Sequence, residues 1–231
     1  MWNKPQQLHM ISNALFGISF LLLGYATLHY VLRLPQFNLR AVQLSAAPRQ
    51  VNAEQIADVV RNELLGNFFT VDLENTRRTF EKLPWVRTAS VRRHFPWQLE
   101  VELEEHVALA RWNGSALVNT HGEIFVAQSE RVMPKFFGPP ENAAEVAQMY
   151  RTFAEQLMPL QREIVEINLS QRRAWQLRLK DGLLLKLGRE EAPQRLARFV
   201  AAYPMAEEKG AVQYVDLRYR NGFVVMYKQP V

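Results

Sequence analysis

The sequence predicts an α+β protein: a single N-terminal transmembrane helix, a β-α-α-β-β unit, and a C-terminal, mostly antiparallel β-sheet domain with flanking helices. Three observations carry this. Ile11 to Leu32 contains no Asp, Glu, Lys or Arg. From Phe37 to Glu105 the apolar pattern runs from alternation to helical spacing, twice, and back to alternation. Beyond Leu109, short alternating runs recur between turn dipeptides and are interrupted by two helical stretches.

The first run of about 22 residues makes about 33 Å of helix, enough to cross a bilayer. Its polar groups are few: Ser12, Asn13, Ser19, Thr27 and His29. Trp2, Tyr25 and Tyr30 lie towards its ends, where amphipathic rings favour the membrane interface. A cleaved signal peptide has an apolar core of roughly 7–15 residues followed closely by small residues. This run is longer, and Ala46-Ala47 lies far beyond it. The expectation is a retained anchor, residues 11–32, behind a short tail, residues 1–10. Lys4 precedes the span and Arg33, Arg40 and Arg49 follow it, so charge alone leaves the orientation open.

Hydrophobic residues make up 48% of the 231, so the remainder can bury a core. The absence of cysteine removes disulfides, thiolate metal sites and cysteine nucleophiles. A net charge of +5 and a pI near 9.6 raise the question of nucleic acid. The basic residues are interleaved with acids, however, and no recognition helix or zinc-finger spacing is present. A basic solvated surface results, with weak attraction for anionic headgroups or an acidic partner.

Phe37 to Leu44 alternates as a strand. Asn52 and Gln55 form a capping-box pair ahead of Ile56, Val59, Val60 and Leu64, and Gly66 ends that helix. Asp72 caps a second helix whose face is Leu73, Thr76, Phe80 and Leu83, closed by Pro84. A hairpin follows, Trp85 to Arg93 and Gln98 to Glu105. In the second arm Leu99, Val101 and Leu103 face in and Glu100, Glu102 and Glu104 face water. With nothing near to desolvate them, these glutamates are a solvated strand face rather than acid–base groups.

In the second half, Leu109 to Trp112, Ala116 to Asn119, Ile124 to Ala127 and Lys135 to Phe137 are short strands. Asn113-Gly114 and His121-Gly122 are their tight turns. A helix runs from about Ala143 to Met158, with Val146, Met149, Tyr150, Phe153 and Leu157 on one side. Ile164 to Leu169, Trp175 to Leu179 and Leu183 to Leu187 form a meander turning at Asp181-Gly182. Pro193 suits a first helical turn; Leu196, Phe199 and Val200 mark that helix up to Tyr203-Pro204. Tyr214 to Tyr219 and Phe223 to Lys228 are the last strands, joined at Asn221-Gly222.

The last strand is the strongest functional lead in the residues themselves. Phe223 to Tyr227 is apolar on both faces, with only Lys228 and Pro230 beyond it, whereas edge strands are usually guarded by charge, proline or bulges. Either it lies inside the sheet, or its free edge takes a strand from a partner. Phe223 and Val225 belong to that surface, and Arg172, Tyr219 and Tyr227 are of the types that anchor interfaces. Catalysis has no comparable support. His9, His29, His94, His106 and His121 are scattered, with no HExxH, GxSxG or phosphate-cradling glycine loop. No cofactor, metal or small-molecule substrate is expected.

Residues Leu83 to Glu105, LPWVRTASVRRHFPWQLEVELEE, running into ALARW after a β-α-α start, resemble a POTRA domain. The ordered succession NGSALVNTHGEIF, MPKFFGPP, RRAWQLRLKDGLLLKLGR, RLARFVAAYP and YVDLRYRNGF is similar to the FtsQ/DivIB family of bacterial cell division proteins. The resemblance implies a POTRA domain at 36–106 and a C-terminal β domain at 107–231. It also implies an inner-membrane protein of the septum, N-terminus cytoplasmic and bulk periplasmic. Its implied partners are FtsB and FtsL, bound without enzymatic activity by Arg172, Tyr214, Tyr219, Asn221, Gly222 and Tyr227. Asn221 stands where members carry serine and Tyr227 where they carry tryptophan. Val91 and Arg93 fall in the strand implied to recruit the protein to other division proteins. The alternative is a POTRA protein that handles exported polypeptides. Such proteins continue into membrane barrel strands, where this sequence stops.

Overall fold

The computed structural model describes residues 5–64, 66–208, 210–220 and 222–227. The chain forms two compact units, Met1–Glu105 and His106–Val231. In the first unit, helix α1 (Pro5–Leu32) contains the stretch His9–Leu32, long and apolar enough to cross a membrane and uncovered by the rest of the chain. Trp2 and Lys4 lie outside the described residues.

Strand β1 (Ala41–Leu44) begins four residues later than its alternation suggests. Pro35–Phe37 forms a 3-10 turn, and the Phe37 ring packs on Phe69 and Trp97 instead of joining a ladder. Helix α2 (Ala53–Glu63) starts as expected: Asn52 accepts from the Glu54 N–H, and the Asn52 N–H donates to Gln55 Oε1 at 3.2 Å. Helix α3 (Leu73–Phe80) is capped by Asp72, which accepts from the Asn75 N–H at 3.0 Å. It ends before Leu83 in tight turns, with Leu83 N donating to Phe80 O, because Pro84 disfavours helix in the residue before it.

Strands β2 (Val86–His94) and β3 (Gln98–Glu105) form the hairpin, from Val86 opposite Glu105 to His94 opposite Gln98. β1 lies parallel on the other side of β3, giving the order β1-β3-β2. Ile56, Val59, Phe80, Val86 and Val101 form the core between sheet and helices. Glu105, at the end of β3, closes this unit by accepting from three backbone N–H groups, Arg49, Gln50 and Val51, at 2.8–2.9 Å.

The second unit is one nine-stranded sheet. Its strands are β4 (Ala108–Trp112), β5 (Ala116–Asn119), β6 (Ile124–Phe125), β7 (Lys135–Phe137), β8 (Ile164–Leu169), β9 (Trp175–Leu179), β10 (Leu184–Gly188), β11 (Val212–Asp216) and β12 (Val224–Tyr227). Their order is β12-β11-β10-β9-β8-β7-β4-β5-β6. The β4–β7, β7–β8 and β10–β11 pairs are parallel and the others antiparallel. Helices α4 (Ala143–Leu157) and α5 (Ala192–Glu207) bury Val146, Phe153, Leu157, Leu196 and Phe199 against Ile167, Leu177 and Leu185.

Local turn chemistry matches its residues. Asn113 and Gly114 both have positive φ, as a two-residue hairpin requires. At Gly122 a Cβ would lie 2.3 Å from Ala144 Cα, so only glycine lets α4 approach; His121 is a turn residue, its N–H held by Asn119. The helix expected to stop at Tyr203-Pro204 instead continues to Glu207. Pro204 forfeits one backbone bond. Tyr203, buried and gripped by Arg162 at its hydroxyl and over its ring, carries the helix through.

Burial pushes the Glu105 carboxyl up, but the N–H groups of Val51, Arg49 and Gln50 outweigh it and hold it below the usual carboxylate range. Its stabilisation is therefore present above the unfolded carboxylate pKa and lost as pH falls through the lower folded value. Glu105→Gln should cost of order 1 kcal/mol at pH 7 after solvent screening, and converge on wild type towards pH 3. Urea denaturation of the full chain in detergent at both pH values measures this.

Candidate functional site

α5 crosses over between β10 and β11, and a crossover of that kind returns the chain parallel. Leu184, Leu185 and Lys186 accordingly face Tyr214, Val215 and Asp216, and the ladder extends through Leu217 N to Lys186 O at 2.8 Å. β12 returns antiparallel, with Val224 opposite Asp216, Val225 opposite Val215 and Met226 opposite Tyr214. It is the terminal strand of the sheet, and among the described residues no strand pairs with its outer side. Of the two readings left open by the sequence, the edge strand is the observed one. Lys228 and Pro230 lie outside the described residues.

The strands are shorter than expected and their connection is longer. A tight hairpin at Asn221-Gly222 would set Val225 against Arg218; the observed register sets it against Val215, which is buried. The side-chain phase follows from that pairing. Val225 and Phe223 turn inward, with the Phe223 ring 5.9 Å from that of Phe199. At Phe223 and Val225, expected on the docking surface, the side chains therefore pack on the core. Val224 and Met226, which were not nominated, are 47% and 58% exposed and form the outward face.

Tyr214 stands on that outward face, across from Met226, with Lys186 Nζ 5.1 Å over its ring. Its hydroxyl donates to Asp216 Oδ2 at 3.2 Å. Asp216 also accepts from the Arg218 N–H, Nε and Nη2, the last at 2.6 Å. The Arg218 guanidinium, against the opposing effect of burial, holds the Asp216 carboxyl below its ordinary range. This cluster fixes the chain leaving β11, so that Tyr219 emerges 56% exposed. At the far end of β12, Tyr227 leans back and donates from its hydroxyl to Ala206 O at 3.3 Å.

α5 clamps the same end of the sheet. Arg195 Nη1 donates to Leu187 O at 2.8 Å, and Arg198 donates to Arg220 O. Between them lies a recess of about 310 Å³ lined by Arg195, Arg198, Leu217, Arg220, Gly222 and Phe223. Gly222 is thus part of its lining, while Asn221 lies outside the described residues.

Arg172 is brought to the same end but not to β12. It occupies the exposed β8–β9 turn, beside Arg173, which pairs with Glu145 at 2.6 Å. Trp175 faces Gly188, and a Cβ at Gly188 would meet Arg218 Cγ at 3.0 Å, so these turns share one rim. From β9 to β12 is three strand steps, about 14 Å. In the other unit, Val91 and Arg93 lie on β2, an edge strand of its sheet. Val91 packs against the core, and Arg93 donates to Phe68 O and Val71 O at 2.7 and 3.0 Å. Among the described residues no group of three or more His, Asp or Glu is placed to hold a metal ion.

An anchor-length apolar helix, a three-stranded β-α-α-β-β unit and a mixed sheet whose terminal strand is β12 fit a single-pass membrane protein. Comparison with known proteins agrees in order and extent. Residues 37–106 match the POTRA domain, FtsQ-type, and residues 110–218 match Cell division protein FtsQ/DivIB, C-terminal. Cell division protein FtsQ of Nitrosospira multiformis is 44% identical over 230 residues, covering 96% of this chain and 98% of that protein. The FtsQ of Burkholderia pseudomallei is 39% identical over 97% of this chain and 94% of its own. That of Escherichia coli is 36% identical over 73% of this chain and 66% of its own. The chain belongs to the FtsQ/DivIB family of cell division proteins.

Asp216→Asn should keep the shape but leave Arg218, whose side chain is largely exposed, with a weaker acceptor, costing of order 1 kcal/mol after solvent screening. A lowered thermal midpoint near pH 7, narrowing towards pH 3 as the wild-type carboxylate protonates, is the expected result.

Proposed function

We propose that this protein is a non-enzymatic, bitopic scaffold of the bacterial divisome whose β12 edge takes a strand from FtsB, itself paired with FtsL. The terminal position of β12 carries this reading: an added strand would satisfy its outward N–H and C=O groups. Tyr219, Val224 and Met226 supply exposed side chains beside that edge, and Tyr214, Gly222 and Tyr227 frame it. Arg172, about 14 Å along the rim, suits an acidic residue of the same partner beyond the added strand. Asn221, in the β11–β12 connection, is included on the family pattern alone.

The anchor sits in the inner membrane at the septum, with the N-terminus cytoplasmic and both folded units, near 36–106 and 107–231, periplasmic. The edge strand β2, with Val91 and Arg93, is the recruitment surface for other division proteins. Arg93 acts there by holding the 68–71 loop as much as by its charge. The scaffold would join those early components to septal wall synthesis.

Binding of a soluble FtsB–FtsL segment to the detergent-purified chain tests the docking edge. Val224→Glu, Met226→Glu and Tyr219→Ala should each weaken it by at least about tenfold, about 1.4 kcal/mol, with native circular dichroism. Unchanged affinity in all three would overturn the assignment. Arg172→Glu should weaken binding more than Arg172→Ala, and added salt should narrow that gap. For the topology, a reporter active only in the periplasm should be active when fused at Val231 and silent when fused at Met1.

A further inference from the structure

The end of the first unit that adjoins α1 is made of three segments. β1 starts there at Ala41 opposite Gln98, the β2–β3 turn lies there between His94 and Gln98, and residues 66–72 lead there into α3. One hydrogen bond ties this tip to the helix, Asn67 Nδ2 donating to Leu32 O at 2.7 Å. Two more join the segments after the helix to the tip, Phe68 N donating to Phe37 O at 2.8 Å and Arg40 N to Trp97 O at 2.9 Å. Asn67 is itself buried, and its Oδ1 accepts from Phe69 N and Thr70 N. The apolar run ends at Leu32, and Arg33 is the first charge after it. Groups within hydrogen-bond reach of the Leu32 carbonyl therefore sit where a spanning helix leaves the hydrocarbon.

What the tip presents at that level is aromatic. Phe37, Phe68, Phe69, Phe95 and Trp97 form one set of ring contacts with centroids 5.1–6.1 Å apart. Phe95 is nevertheless 73% exposed and Phe69 43%. The Arg93 bonds to Phe68 O and Val71 O keep the loop that carries Phe69 in place. Charge at the tip is mainly positive: Arg33–Ala41, Gly66–Asp72 and Arg92–Gln98 contain four arginines, at 33, 40, 92 and 93, against one acid, Asp72, which caps α3. Exposed rings among cations at the end of a span match the headgroup layer, where amphipathic aromatics and phosphate-binding side chains are both favoured.

We propose that this tip is a second membrane contact: Phe69 and Phe95 enter the headgroup–acyl boundary, Arg33 and Arg40 face lipid phosphates, and the POTRA unit rests on the bilayer. The occupant is lipid because the tip is bonded to the span itself. The proposal rests on α1 crossing the membrane.

The chain has no cysteine, so single-cysteine probes are clean. The full chain is reconstituted in phosphatidylcholine vesicles, with and without phosphatidylglycerol, and labelled with a fluorophore at His94→Cys, Ala47→Cys or Leu21→Cys. Ala47 follows β1 at the opposite end of the unit, about 27 Å away by the length of the eight-residue β3. A nitroxide on shallow acyl carbons should quench the His94 probe at least about threefold more than the Ala47 probe, in both lipids and in about 0.5 M salt. Phe69→Ser/Phe95→Ser should bring the His94 value down to that of Ala47 with native circular dichroism. Phe95→Ser alone, the milder variant, should lower it part of the way. Equal quenching at His94 and Ala47 overturns the proposal, and so does quenching confined to phosphatidylglycerol and abolished by salt. A Leu21 probe untouched by deep acyl-chain nitroxide overturns the span and the proposal together.

Discussion

The parallel pairing of β11 on β10 is the constraint on which the rest of the C-terminal unit depends. Backbone donors and acceptors must be paired or solvated, and the crossover through α5 decides which strand is left last. Leu196 and Phe199 hold α5 on the sheet, and Arg195 ties it to the end of β10. β11 then has one position available, and β12 must lie outside it. The two ends of the sheet are unequal in consequence. β6 is two residues long, which blunts an edge, whereas Val224–Tyr227 has four residues with neither charge nor proline among them.

The parts of the fold that are local in origin were legible in the sequence. Asn52 with Gln55 and Asp72 with Asn75 cap within three residues, and Asn113-Gly114 sets its turn within two. Strand order and register were not, because they are fixed by partners distant in sequence. The Asn221-Gly222 dipeptide suggests a tight hairpin, but Leu217 extends the pairing with β10 and Asp216 turns Arg218 back on itself. The two strands consequently pair three residues out of that register. Because Phe223 to Tyr227 is apolar on both faces, the residues alone do not tell which face is outward; the register turns Phe223 and Val225 in and Val224 and Met226 out. Pro204 misleads for a similar reason: the penalty is local, and the Tyr203–Arg162 contact that offsets it is not.

The aromatic tip of the POTRA unit was illegible for the same cause. Phe37, the Phe68-Phe69 pair and the Phe95–Trp97 turn lie in three separate segments, and each alone is an unremarkable loop aromatic. Their common level comes from β1, β2 and β3 sharing one end. Arg93 shows how a residue can be noticed for one reason and act through another. It was singled out as a recruitment residue, yet its guanidinium also anchors the loop bearing Phe69.

The proposed strand addition to β12 would set a limit that a shared membrane could help to meet. A four-residue edge offers outward N–H and C=O groups on alternate residues, about four bonds, each worth about 1 kcal/mol net. Alone this amounts to about 4 kcal/mol, a millimolar affinity. Exposed apolar side chains at Tyr219, Val224 and Met226 can add to it. Each fully buried side chain of that size contributes about 1.5–3 kcal/mol before ordering costs. If the partner of the proposed contact is anchored too, a further gain follows: two chains held in one bilayer would meet at an effective concentration near the millimolar range. The contact that a soluble segment makes in the micromolar-to-millimolar range would then be largely filled for a membrane-bound partner. The span and the last strand are in this sense complementary, since the tether relaxes the affinity that the short edge must provide.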